Sequence, residues 1–111
     1  MDGIDNSVHS FMLSELKKFP EIKANVGHGK VAISAGGDVD YRNVQAKITN
    51  LTKVEADKLA AALNAHTQDI FQDGKTDPRT QGVNLGVPVV KEKAVGHGKY
   101  EVDLGATYVG G

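Results

Sequence analysis

A short motif that occurs twice holds the side chains best suited to catalysis. The pentapeptide Val-Gly-His-Gly-Lys surrounds His28 and again His97, and a strand-like alternating pattern follows each copy. Two imidazoles at one site could act as general base and general acid on a phosphodiester, and Lys30 and Lys99 would stabilise the developing negative charge. The structural alternative is that glycines supply positive φ at a hairpin tip, where histidine tolerates the left-handed conformation. We favour the structural interpretation, in which the two histidines are separate, exposed tip residues.

The remaining ionisable residues do not form a recognisable metal or cofactor motif. No two histidines have the close helical spacing of paired ligands, and this holds for His9, His28, His66 and His97. His66 belongs to an apolar helical stripe, which predicts a residue at the edge of the core with one hydrogen bond. Three acids recur every four residues but lack the glycine and terminal glutamate of a calcium loop, so a solvated polar edge is predicted for Asp69, Asp73 and Asp77. The sequence therefore predicts neither a metal nor a cofactor.

Two segments have the periodicity of helices. In the first, residues 6–19, an apolar stripe recurs every three or four positions, made by Ile4, Val8, Met12, Leu16 and Phe19. Pro20 ends this helix because it biases the preceding residue away from helical geometry. The second helix, residues 52–73, begins with the capping box of Thr52 and Glu55. Its buried stripe is predicted to be Leu59, Ala62, Leu63, His66 and Ile70, and Gly74 is predicted to end it.

Period-two alternation predicts the strands, which lie at 22–26, 31–35, 39–48, 87–95 and 99–104. The first two are predicted to form a hairpin with its turn at Gly27-His28-Gly29, and the last two form a second hairpin. The expected fold is α+β, in the order α-β-β-β-α-β-β. It has a mostly antiparallel sheet of about five strands with two helices on one face. The turn-rich segment Gly74–Pro88 is predicted to be a mobile or functional loop.

Length and charge restrict the classes of function. The chain has 111 residues, which predicts one α+β domain over residues 1–111. The net charge is -1 and no basic cluster exists, so a phosphate-binding nucleic-acid surface is not expected. No apolar stretch reaches the length of a membrane span. Met1–Asp5 begins no signal peptide, so the expected location is cytoplasmic, or exported with the signal already removed.

Three functions remain open, of which the first is a small non-catalytic binding module with an unknown protein, small-molecule or glycan partner. It rests on the lack of a convergent set of titratable groups. The second is a phosphodiester-cleaving enzyme or toxin domain that uses His28 and His97. The third comes from a resemblance: Val44–Ile48 followed by Glu55–Leu59 is similar to the strand–helix half of sporulation-related peptidoglycan-binding repeats. The glycine and aromatic that follow the strand in those repeats are missing here. This resemblance implies a glycan-binding envelope domain.

Overall fold

Helices pack against one face of a five-stranded antiparallel sheet in the computed structural model, which describes residues 3–38 and 40–110. The helices are α1 (Gly3–Lys18), α2 (Pro20–Val26) and α3 (Lys53–Thr76). The strands are β1 (Lys30–Asp38), β2 (Tyr41–Leu51), β3 (Val83–Leu85), β4 (Val89–Gly96) and β5 (Lys99–Gly110). This arrangement confirms the predicted α+β class.

The longest strand, β5, lies inside the sheet and connects its two halves. One side of β5 pairs with β2, which in turn pairs with β1 at the edge. The other side pairs with β4 near the start of β5 and with β3 near its end. Alternation along β2 and β5 directs one set of side chains into the core, and this set is Val44, Ala46, Ile48, Val102, Leu104, Ala106 and Tyr108.

The helices complete the core with the stripes that the sequence predicts. Thr52 and Glu55 form the predicted capping box at the start of α3. Leu59, Leu63 and Ile70 on that helix are fully buried. On α1 the buried side chains are Val8, Phe11, Met12 and Leu16. The face of the sheet opposite to this core carries no helix within the described ranges.

The strand predicted at residues 22–26 is wrong, because these residues form α2. Pro20 starts this helix instead of only ending the previous one, since a first-turn residue needs no amide proton. Within α2, Ile22 is fully buried. The side chain of Asn25 donates from Nδ2 to the backbone carbonyl of Glu21 at 2.8 Å. The predicted hairpin around His28 is therefore a helix end, at which Gly27 has a positive φ of 51°.

The prediction that Gly74–Pro88 is a loop is wrong for most of the segment, because it contains regular secondary structure. Helix α3 continues through Gly74 to Thr76, a short 3-10 helix covers Pro78–Thr80, and β3 follows. Thr80 is buried and its hydroxyl donates to the carbonyl of Gly74. The strand count agrees with the prediction because β3, which the sequence analysis missed, replaces the strand wrongly placed at residues 22–26.

Candidate functional site

His28 lies between α2 and β1, where it contacts the first turn of α3. Its Nε2 is 2.6 Å from Glu55 Oε2. The other carboxylate oxygen of Glu55 accepts from the backbone amide of Thr52 at 2.8 Å. These bonds, the one from the Thr52 amide above all, lower the pKa of Glu55. His28 therefore connects the start of β1 to the capping box of α3.

His97 occupies the turn between β4 and β5. Its backbone is left-handed, with φ 55°, and it is flanked by positive-φ glycines at 96 and 98. The start of β1 and the start of β5 both lie beside the end of β2, because Lys30 pairs with Thr49 and Tyr100 pairs with Leu51. His28 precedes β1 and His97 precedes β5, so both histidines lie at the same end of the sheet. Across the described ranges, no hydrogen bond or ring contact joins the two imidazoles. The site of His28, His97, Lys30 and Lys99 stays a prediction.

His66 on α3 contacts two carboxylates, one on its own helix and one on α2. Its ring stacks on Phe19 with 4.4 Å between centroids. Nδ1 is 2.9 Å from Asp69 Oδ2, and Nε2 is 3.2 Å from Glu21 Oε2. The hydrogen bond to Asp69, and then that to Glu21, raise the pKa of His66. The position at the edge of the core agrees with the prediction, but the histidine contacts two acids instead of one partner.

An acidic pair lies between α1 and the end of α3. Glu15 is only 3% exposed, and burial followed by the neighbouring Asp73 raises its pKa to about 8. Lys18 Nζ lies 2.6 Å from Asp73 Oδ2, and Arg79 bonds to Asp77. The solvated edge predicted for the aspartates is therefore wrong for Asp73 and Asp77. A sequence signal for Glu15 existed, because it follows Phe11 by four positions and Met12 by three on the buried stripe.

The face of the sheet without helices contains a groove of 480 Å³. Gly105 on β5 lies at its centre, because it pairs with Gln45 on β2 and with Val89 on β4. A residue without a side chain between two flanking strands leaves a depression in the sheet surface. The side chains around it belong to Asn43, Gln45, Val87, Val89, Lys91, Asp103 and Thr107. We call this surface the Gly105 groove.

The Gly105 groove combines polar and apolar groups. Asn43, Gln45 and Thr107 can each donate and accept hydrogen bonds. Val87 and Val89 provide an apolar wall, with 42% and 57% of their surfaces exposed. Such a mixture, in which a few placed polar groups orient a ligand and apolar contacts hold it, is typical of binding sites.

Asp103 gives the Gly105 groove a hydrogen-bond acceptor with unused capacity. Its Oδ1 is buried and has no hydrogen-bond partner within the described residues. Burial, and then the nearby Glu101 carboxylate, raise the pKa of Asp103. A buried oxygen that lacks a donor is costly, and a ligand hydroxyl or amide could supply that donor. The sequence analysis missed this groove because outward-facing residues of a strand look alike until their neighbours are known.

Three further observations concern the described residues and the relation of the sequence to known proteins. Among residues 3–38 and 40–110, no group of three or more acidic or histidine side chains is arranged to hold a metal ion. None of the helices in the same ranges combines the length and apolarity that crossing a membrane requires. Comparison with protein-family models, curated proteins and solved structures found no match.

Proposed function

We propose that the chain is a small non-catalytic binding module whose ligand occupies the Gly105 groove. The observation that carries the proposal is the groove itself, in which hydrogen-bonding side chains and exposed valines surround a glycine in the middle of a sheet.

The chemistry of the Gly105 groove favours a hydroxyl-rich ligand, and we infer an oligosaccharide. A sugar ring carries hydroxyl donors and acceptors at its rim and apolar C–H groups on its faces. The hydroxyls suit the amides of Asn43 and Gln45 and the acceptor oxygen of Asp103. The C–H face suits Val87 and Val89. Tyr41, which is 61% exposed, shares this face of the sheet by alternation with Asn43 and extends the surface available for sugar contact.

Substitution of Gly105 tests this proposal with little risk to the fold. A Cβ built at Gly105 meets only the carbonyl oxygen of Val44, at the ordinary contact distance of 3.7 Å. Gly105→Val should therefore fold normally while its side chain fills the groove. We expect soluble oligosaccharides, added to ¹⁵N-labelled protein, to shift the amide signals of Gln45, Val89 and Thr107, and Gly105→Val to abolish these shifts.

A matched pair of surface variants controls for general effects. Val89→Lys places a long charged side chain at the groove, whereas Val54→Lys makes the same change on α3, where Val54 is 62% exposed. Only the first should weaken oligosaccharide binding. Shifts caused by an extended peptide and by no oligosaccharide would refute the ligand class. Shifts that centre on His28 and His97, or binding that survives in Gly105→Val, would refute the groove as the site.

A further inference from the structure

The outer edge of β1 has the properties of an unsatisfied pairing surface. β1 pairs with β2 through nine consecutive residue pairs without a register shift. Its other side has no strand neighbour in the described parts of the chain. Proteins usually protect such an edge with a central charge, a proline or a bulge. β1 has none of these between Lys30 and Asp38, where the sequence is Val-Ala-Ile-Ser-Ala-Gly-Gly.

We propose that the edge of β1 pairs with β1 of a second copy of this chain, antiparallel about a two-fold axis at Ser34. Lys30 and Asp38 are each four positions from Ser34, so this register places Lys30 opposite Asp38 of the second copy at both ends. Strand alternation puts the two charges on the same face of the sheet. Opposite charges in a cross-strand pair stabilise the pairing. Two-fold dimers are also the commonest oligomers.

The apolar side chains of β1 suit the same register. Ile33 would lie opposite Ala35 of the second copy, and both residues are half-buried beside the core. Val31, which is 40% exposed, would lie opposite Gly37. That glycine cannot readily gain a side chain, because a Cβ there would be 2.7 Å from the carbonyl oxygen of Tyr41. Parallel pairing in register would instead place Lys30 opposite Lys30, and like charges directly opposite destabilise a sheet.

Antiparallel pairing of the two β1 strands joins both sheets into one, with the two-fold axis perpendicular to it. The helix-free faces of the two copies therefore lie on the same side of the joined sheet. If the proposed function holds, the dimer would present two Gly105 grooves side by side, which raises the avidity for a ligand with repeated units. The dimer itself does not depend on that function.

Charge reversal tests the register. We expect sedimentation equilibrium of the full chain, from micromolar to millimolar concentration, to show a monomer–dimer equilibrium. Lys30→Asp or Asp38→Lys should raise the dissociation constant about ten-fold or more, because each change puts like charges together twice in the dimer. The double variant K30D/D38K restores opposite charges and should restore the dimer. Lys58→Asp, on the exposed side of α3, should leave the equilibrium unchanged.

Each other outcome overturns the proposal. A wild-type chain that stays monomeric at millimolar concentration has no self-pairing edge. A dimer that both single reversals leave intact uses another surface or another register. A monomer that instead binds an added β-strand peptide along β1 would identify a different partner. Circular dichroism of each variant checks the fold, which should tolerate changes at the two ends of an edge strand.

Discussion

At the scale of single residues, burial is the main reason why the pKa of Glu15 differs from that of an ordinary glutamate. The side chain lies beside Asp73 and Lys18, and its Oε1 is buried without a hydrogen-bond partner within the described residues. Its pKa of about 8 lies above the ordinary value of 4.5, so the folded protein holds this proton more tightly than the unfolded chain does. The stability that this proton provides is fully present below pH 4.5 and is lost as the pH rises through about 8.

Glu15→Gln should remove this pH dependence, because glutamine resembles the protonated acid. Near pH 5 the variant and the wild type should have similar free energies of unfolding. Near pH 9 the variant should be more stable by about 2 kcal/mol or more, since each pKa unit corresponds to about 1.4 kcal/mol. Urea unfolding at both pH values measures the difference. As a control, Asp40→Asn changes an exposed carboxylate and should have small, equal effects on the free energy of unfolding at both pH values. A pH-independent effect of Glu15→Gln would contradict the prediction.

The residues that the sequence analysis selected differ from those that make the candidate site. His28 and His97 attract attention because their motif is repeated and because histidine is the side chain most often used in general acid–base catalysis. Gly105 and Asp103 do not, because their significance depends on Gln45 and Val89, which reach them only through strand pairing. Glu15 was identifiable in principle from its place on the apolar stripe of α1.

At the scale of elements, local signals predicted the long helices and missed the short elements. The capping box of Thr52 and Glu55 marks the start of α3 because its hydrogen bonds lie within four residues. The alternation of Ile22, Ala24 and Val26 spans too few residues to distinguish a strand from a helix. Three residues of β3 are likewise too few for a pattern. That strand exists because Leu85 packs beside Gly74 and β3 pairs with β5.

The segment that contains β3 depends on Arg79. This side chain bonds to both carboxylate oxygens of Asp77, lowering the pKa of Asp77 to about 2, and to the Ser14 hydroxyl on α1 at 2.6 Å. Arg79→Ala should lose about 1–3 kcal/mol of local stability, the scale of hydrogen bonds to charged groups.

Native-state hydrogen exchange measures this loss. Amides between Thr80 and Leu85 should exchange about ten- to a hundred-fold faster in Arg79→Ala, while those around Leu63 in α3 should change little. Rapid exchange of Thr80–Leu85 already in the wild type would contradict the ordered structure of this segment.

At the scale of the whole molecule, the sequence analysis predicted the α+β class, the strand number and the helices on one face. The class and the position of the helices follow from periodicity and length, whereas the strand number agrees only because the missed β3 offsets the strand wrongly placed at residues 22–26. The strand order does not, because the pairing of β2 with β5 joins residues that are far apart in the chain. The Gly105 groove is built from β2, β4 and β5, so its prediction required the strand order.

Leu63→Ala tests whether residues 1–111 behave as one domain. Leu63 is fully buried, and it belongs to the same apolar cluster as the buried residues of α1 and the central strands. Its truncation should cost about 2–5 kcal/mol.

Tyr108 of β5 donates a hydrogen bond to Asp5 of α1, so near-ultraviolet circular dichroism of the tyrosines reports on the contact between helix and sheet. If one core unites the chain, this signal and the far-ultraviolet helix signal should be lost at one temperature, and Leu63→Ala should lower both equally. Val54→Ala on the solvent side of α3 should change the stability by less than about 0.5 kcal/mol. Two separate transitions, or a cost for Leu63→Ala as small as that of Val54→Ala, would contradict a single cooperative core.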